Sequence, residues 1–222
     1  MKNTQKIIAF LVLFVAAFAC STKKDTVVSR NFHAITTKYN VLFNGKEAFK
    51  KGIEDINNNY KDDWFQRLPI EPIEFEEDKI VLSSYNNNGP GAGFGSNEDE
   101  EKKELTTFEK AEEKAVKAIQ RHGMNIDGIE RNRQIDDAYL LLGKSRYYTQ
   151  RFIPAIEAFN YVIANYPQAD LIAETKIWRA KANTRNDNEE IAIEAMKLLL
   201  VVRDSLETSL PDKIKEQAHT AL

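Results

Sequence analysis

The sequence predicts an all-α chain of helical hairpins stacked into a superhelix, broken by an extended insertion and a disordered Asn/Gly linker. Three observations predict it. Between Ile135 and Pro167, apolar residues recur at spacings of three and four on both sides of a short polar break, Thr149-Gln150-Arg151. The same pattern returns, stretched, after Pro167. Between residues 61 and 104, prolines and then glycines and asparagines interrupt all helical periodicity.

The amino terminus reads as an export signal. Lys2 and Lys6 precede the apolar run Ile7 to Phe18, which is short for a membrane helix, and Ala17-Phe18-Ala19-Cys20 follows. Cys20 after Ala19 is similar to a bacterial lipobox, with Phe18 where a small residue is usual. That resemblance implies removal of residues 1–19 and acylation of Cys20, palmitate included. Two or three acyl chains hold a protein to a bilayer far better than one, at ~0.8 kcal/mol per buried methylene. Cys20 is the sole cysteine, so neither an internal disulfide nor a cysteine-cluster metal site is expected.

Residues 20–28 form a short polar leader, expected to be mobile. Residues 29–60 read as a first hairpin, with Ser29 or Asn31 as cap. Phe32, Ile35 and Tyr39 give one stripe, Asn44-Gly45 the turn, and Phe49, Ile53 and Ile56 a second stripe. Residues 61–82 carry Trp64, Phe65, Leu68, Ile70, Ile73, Phe75 and Ile80 among Pro69, Pro72 and many acids. Two readings are open here: an extended segment packed along the helices, which is favoured, or an exposed peptide for a partner. Residues 83–104 are the linker; Gly89, Gly91, Gly93 and Gly95 lack the lysine and strand-helix context of a phosphate loop. Residues 105–222 hold the rest. Leu105 to His122 is an amphipathic helix, and Met124 to Gln134 a polar connector.

The hairpin at 135–168 then carries a more specific signature. With Gly143 as the conserved glycine, Tyr139 and Leu142 precede it, and Ala155, Phe159 and Pro167 follow, at the places a tetratricopeptide (TPR) repeat requires. Val162 and Arg146 depart from the frame. The segment thus resembles a TPR repeat. Gly143 and Ala155 are the small residues that would let the two helices approach. In the next hairpin, 172–203, Ala180 and Ala192 take the corresponding positions. Pro211 opens a further helix, and the frame is expected to continue in a longer protein.

No catalytic constellation is expected. His33, His122 and His219 stand far apart without metal-ligand spacing, and no serine sits in a nucleophile elbow. The net charge of −3 gives no sign of a nucleic-acid partner. No cofactor or small-molecule substrate is anticipated.

Four stretches together carry a family resemblance: SRNFHAITTKYNVLFNG at 29–45, LPIEPI at 68–73, AVKAIQRHGMN with ERNRQIDDAYLLLGKSRYY, and RFIPAIEAFNYV at 151–162. With the lipobox, they resemble the amino-terminal region of the Bacteroidota TPR lipoprotein of gliding motility and type IX secretion. The resemblance implies a periplasm-facing outer-membrane lipoprotein. It would act as a non-enzymatic scaffold, linking the outer-membrane secretion complex to periplasmic components. A lipoprotein of outer-membrane protein assembly is the alternative. In the TPR frame the first helix of each repeat lines the concave side. That places Leu140, Lys144, Tyr147 and Tyr148 on a partner-binding face, with Ile177, Lys181 and Thr184 continuing it. Lys144, Arg151 and Lys181 would steer an acidic partner segment.

Overall fold

The computed structural model describes residues 21–62, 64, 65, 71, 106–186, 188–205 and 212–220. The signal segment, Cys20, most of the 61–82 insertion, the 83–104 linker and Pro211 lie outside these residues.

Helices dominate. Helix α1 (Val27–Thr36), a π-helical segment (Thr37–Leu42) and α2 (Phe43–Asn59) run on without a break. Then come α3 (Thr107–His122), a hairpin of β1 (Asn125–Ile126) and β2 (Ile129–Glu130), α4 (Ile135–Tyr148), α5 (Phe152–Asn165), α6 (Ile172–Arg185), α7 (Glu189–Ser205) and α8 (Asp212–Thr220). Consecutive helices pack on one another from α2 to α8, and α4 also touches α6. The connections within α4–α5 and α6–α7 span only residues 149–151 and 186–188, which makes each pair an antiparallel hairpin.

Core packing follows from small residues at helix crossings. A side chain on Gly143 would collide with the Phe159 ring. That ring is fully buried with Leu140, Tyr147, Ala155 and Ala182. Burying one such phenyl group stabilises by about 1.5–3 kcal/mol. Tyr139 stacks on Tyr161 with ring centres 4.0 Å apart. Leu142 joins a second cluster with Val41, Leu42, Ala115, Ala118 and Ala158. Ala180 and Ala192 meet Ile177 and Met196 in a third. Pro167 stands exposed in the turn after α5, whose last carbonyls it cannot extend.

The first hairpin is corrected. Asn44-Gly45 makes no turn; Gly45 lies in the first turn of α2, buried. Its missing side chain admits Leu141 and Lys114, at 2.9 and 3.1 Å from where a Cβ would stand, and Gly52 likewise admits Phe108. Close approach offsets the ~1 kcal/mol that glycine costs inside a helix. The stripe of Phe32, Ile35 and Tyr39 faces outward, at 41%, 58% and 67% exposure. The inward face is polar: Ser29, His33 and Thr37 are buried. Most of their polar atoms are bonded: the Ser29 hydroxyl, His33 Nδ1 and the Thr37 hydroxyl have partners, while His33 Nε2 is buried without one. The Thr37 hydroxyl donates to the His33 carbonyl (2.6 Å) and accepts from Asn132 Nδ2 (3.0 Å).

The leader is tied down as well. Thr26, not Ser29 or Asn31, caps α1, its hydroxyl accepting from the Ser29 amide. Ser29 Oγ donates to the Ser21 carbonyl, and Asp25 pairs with Arg30 (3.1 Å) and Arg131 (3.3 Å).

The connector after α3 also carries structure. Asp127 and Gly128 both have positive φ, 54° and 78°, which is the two-residue turn that matches strand twist. Glu130 Oε1 accepts from the amides of Met124 (2.7 Å) and Asn132 (2.8 Å). Asn132, 1% exposed, donates through Nδ2 to the His122 carbonyl (2.8 Å) as well as to Thr37. It thereby pins the start of the π-helical segment, just after α1, to the end of α3.

Candidate protein-binding face

Helices α4 and α6 lie side by side and present one continuous aromatic and basic face. Trp178 is its centre. The ring stands 5.4 Å from Tyr147 and 6.0 Å from Tyr148, while Lys144 and Lys181 lie over it with Nζ at 5.3 and 4.9 Å. Such cation–aromatic contacts are worth about 0.5–2 kcal/mol, more when shielded from water. Tyr148 extends the aromatic run to the neighbouring helices, stacking on Phe108 at 4.9 Å and meeting Phe49 edge-on at 5.4 Å.

The cations on this face are already matched. Lys144 pairs with Glu174 of α6. Burial lowers its pKa, and Glu174 acts in the opposite direction. Lys181 Nζ donates to Glu71 Oε1 at 2.6 Å. Glu71 Oε2 accepts from the Tyr147 hydroxyl at 2.7 Å, and Arg185 Nη2 lies 3.9 Å away. Burial, then the Glu71 charge, raises the Tyr147 and Tyr148 pKa values, so both phenols stay protonated.

The sequence-predicted face is therefore only partly a face. Lys144, Tyr148 and Lys181 come together. Leu140, Tyr147 and Ile177 are corrected: they are 6%, 1% and 1% exposed and belong to the packed interior. The reason is that α4 is covered on both sides, by α3 and α5 and by α6. Arg151 is elsewhere. With Arg146 Nε (3.0 Å) it holds Glu112 of α3, and Arg146 also donates to the Pro154 carbonyl (3.1 Å). Thr184 is exposed at the end of α6, its hydroxyl bonded back to the Ala180 carbonyl.

Three residues of the face escaped the sequence reading. Trp178 sits beside the α6 stripe and is legible as an aromatic between Lys176, two residues before it, and Lys181, three residues after it. Arg185 closes the same helix. Glu71 gave no positional signal, since it comes from the proline-rich insertion. Trp64 and Phe65 of that insertion are 78% and 99% exposed, against the expectation of packed aromatic anchors.

A second cluster joins residues distant in sequence. His33 Nδ1 and His122 Nδ1 lie 3.1 Å apart, so one ring donates and the other accepts. Burial lowers both pKa values, and for His122 the neighbouring His33, Lys117 and Arg121 add to it. Among the described residues no group of three or more His, Cys, Asp or Glu side chains is placed to hold a metal ion. No described helix is long and apolar enough to cross a membrane. Compared with protein-family models and with curated proteins, the chain matches none.

Proposed function

We propose that this chain is a non-enzymatic scaffold lipoprotein of the type IX secretion and gliding apparatus. Acylated Cys20 holds it to the outer membrane, facing the periplasm, and protein components of the apparatus are its partners. The observation that carries the reading is the joint occurrence of the lipobox and the four family-like stretches in one chain. The fold proposed for it is a TPR-like superhelix. In support, Gly143 meets Phe159 across the α4–α5 crossing, Ala155 is buried beside them, and α4 touches α6. A face built of tryptophan, tyrosines and lysines suits protein recognition, where large rigid aromatic surfaces bind at low entropic cost.

Two measurements test it. Metabolic labelling with a palmitate analogue should mark the wild type and miss Cys20→Ser. A deletion strain should accumulate cargo bearing carboxy-terminal sorting signals in its periplasm while its outer-membrane barrels assemble normally. Intact secretion with failed barrel assembly would replace this reading with a role in outer-membrane protein assembly.

A further inference from the structure

We propose that Tyr147, Lys181 and Arg185 form a carboxylate-binding site for an acidic peptide, and that Glu71 of the same chain is its resident ligand. This rests on the protein-binding reading of the α4–α6 face and names the chemistry that the face takes.

The contacts are those of a bound ligand. Both carboxylate oxygens of Glu71 are engaged, Oε1 by Lys181 (2.6 Å) and Oε2 by the Tyr147 hydroxyl (2.7 Å). The donors come from two different helices, and Glu71 belongs to neither. It lies in the connection between α2 and α3, at residues 60–106. The site is shielded: side chains of Glu71 and Lys181 are 15% and 19% exposed. Salt therefore screens this pair less than a surface pair.

The donors are also fixed in advance. Tyr147 is 1% exposed, packed edge-on against Trp178 and Phe152. Its hydroxyl takes a further bond from Arg185 Nε at 3.4 Å. The Lys181 ammonium is held over the Trp178 ring. Rigid donors of this kind lose little freedom when a ligand arrives. Two cations and one phenol thus converge on the Glu71 carboxylate.

The ligand's sequence has the character of a docking peptide. Glu71 stands between Ile70 and Pro72 in Leu68-Pro69-Ile70-Glu71-Pro72-Ile73, followed by Glu74, Glu76, Glu77 and Asp78. Prolines on both sides disfavour helix and leave an acidic side chain ready for extended recognition. Because the ligand is tethered, it competes at an effective concentration in the mM range. A partner's acidic segment would have to outcompete Glu71 for the same donors.

The test uses the full chain in mild detergent and a fluorescent synthetic peptide of residues 66–76. Titrations compare the wild type, Glu71→Gln and Glu71→Gln/Lys181→Met, with circular dichroism on each. The peptide should bind Glu71→Gln at least about tenfold more tightly than the wild type, the tethered competitor being gone. The double variant should lose that gain. A peptide with glutamine at position 71 should not bind, although it keeps two glutamates. Glu71→Asp, with the charge retained and the reach shortened, should give an intermediate affinity, and it replaces Glu71→Gln should that variant fold poorly. Equal binding to wild type and Glu71→Gln, or no binding to a folded Glu71→Gln, would overturn the proposal. Neither result touches lipidation or cargo export, so the scaffold reading stands or falls separately.

Discussion

Helices α1 and α4 both carry an apolar stripe in sequence, yet they bury opposite kinds of side chain. In α4 the interior takes Leu140, Leu141, Leu142 and Tyr147. In α1 it takes Ser29, His33 and, one residue on, Thr37, while Phe32 and Ile35 face out. The difference lies in the neighbours. Helix α4 is enclosed by apolar surfaces of α3, α5 and α6. Helix α1 meets the polar end of α3, where the His122 carbonyl, the His122 ring and Asn132 offer hydrogen bonds. A polar group that finds a partner can be buried, and one without a partner costs about 1–3 kcal/mol. Periodicity shows that a helix has two faces; the partner decides which of them goes inside.

The sharpest way to break this contrast is to truncate one phenylalanine on each side of it. Phe159→Ala should cost about 3–5 kcal/mol in urea unfolding, because it empties a closed site. Phe32→Ala should stay within about 0.5 kcal/mol. Comparable losses would mean that α1 buries its stripe after all.

Next in size is overpacking at Gly143. Gly143→Leu drives a side chain into the Phe159 ring and should lower stability by about 1–3 kcal/mol. Asn132→Ala removes the donor shared by Thr37 and the His122 carbonyl, and a similar loss of about 1–3 kcal/mol is expected. Hydrogen exchange should then rise in α1 before α4, since the link that is cut belongs to the polar side.

The smallest effect should come from pH. The folded-state pKa values of His33 and His122 lie below the ordinary 6.5. The unfolded chain therefore takes up protons first as pH falls. Stability from this pair is complete above about pH 6.5 and is lost as pH drops through the lowered folded values. Denaturation midpoints measured from pH 7.5 to 5 should decline, and His122→Asn should flatten the decline. A wild-type midpoint that rises on acidification would show that the pair does not sit buried and neutral.

These residues also mark how far the sequence could be read. The α4–α5 hairpin was legible because short connections and small residues fix its packing locally. Gly143, Ala155 and Phe159 needed no knowledge of distant segments. The His33–His122 contact spans 89 positions and follows no spacing rule. Glu71 is harder still, since its role depends on where a proline-rich connection returns. Gly45 misled for a different reason: Asn-Gly is a strong turn signal, and the same glycine serves a close helix crossing. The Asp127-Gly128 turn was readable, flanked by Ile126 and Ile129, and went unread within a polar stretch.

The π-helical segment sets a counting rule for the longest helix. An α-helix advances about 100° per residue, so each four-residue step overshoots its face by about 40°. Ser29, His33 and Thr37 are spaced by four, and the inward face resumes at Val41 and Leu42 before reaching Gly45 and Gly52. The wider turn at Thr37–Leu42 takes back the rotation that the first steps accumulate. Phase, then, is conserved by number. Side chains along Val27–Asn59 can be exchanged on the outer side with little effect. Adding or removing one residue would turn everything beyond it by about a quarter of a revolution, and would set Gly45 and Gly52 away from the helices they admit.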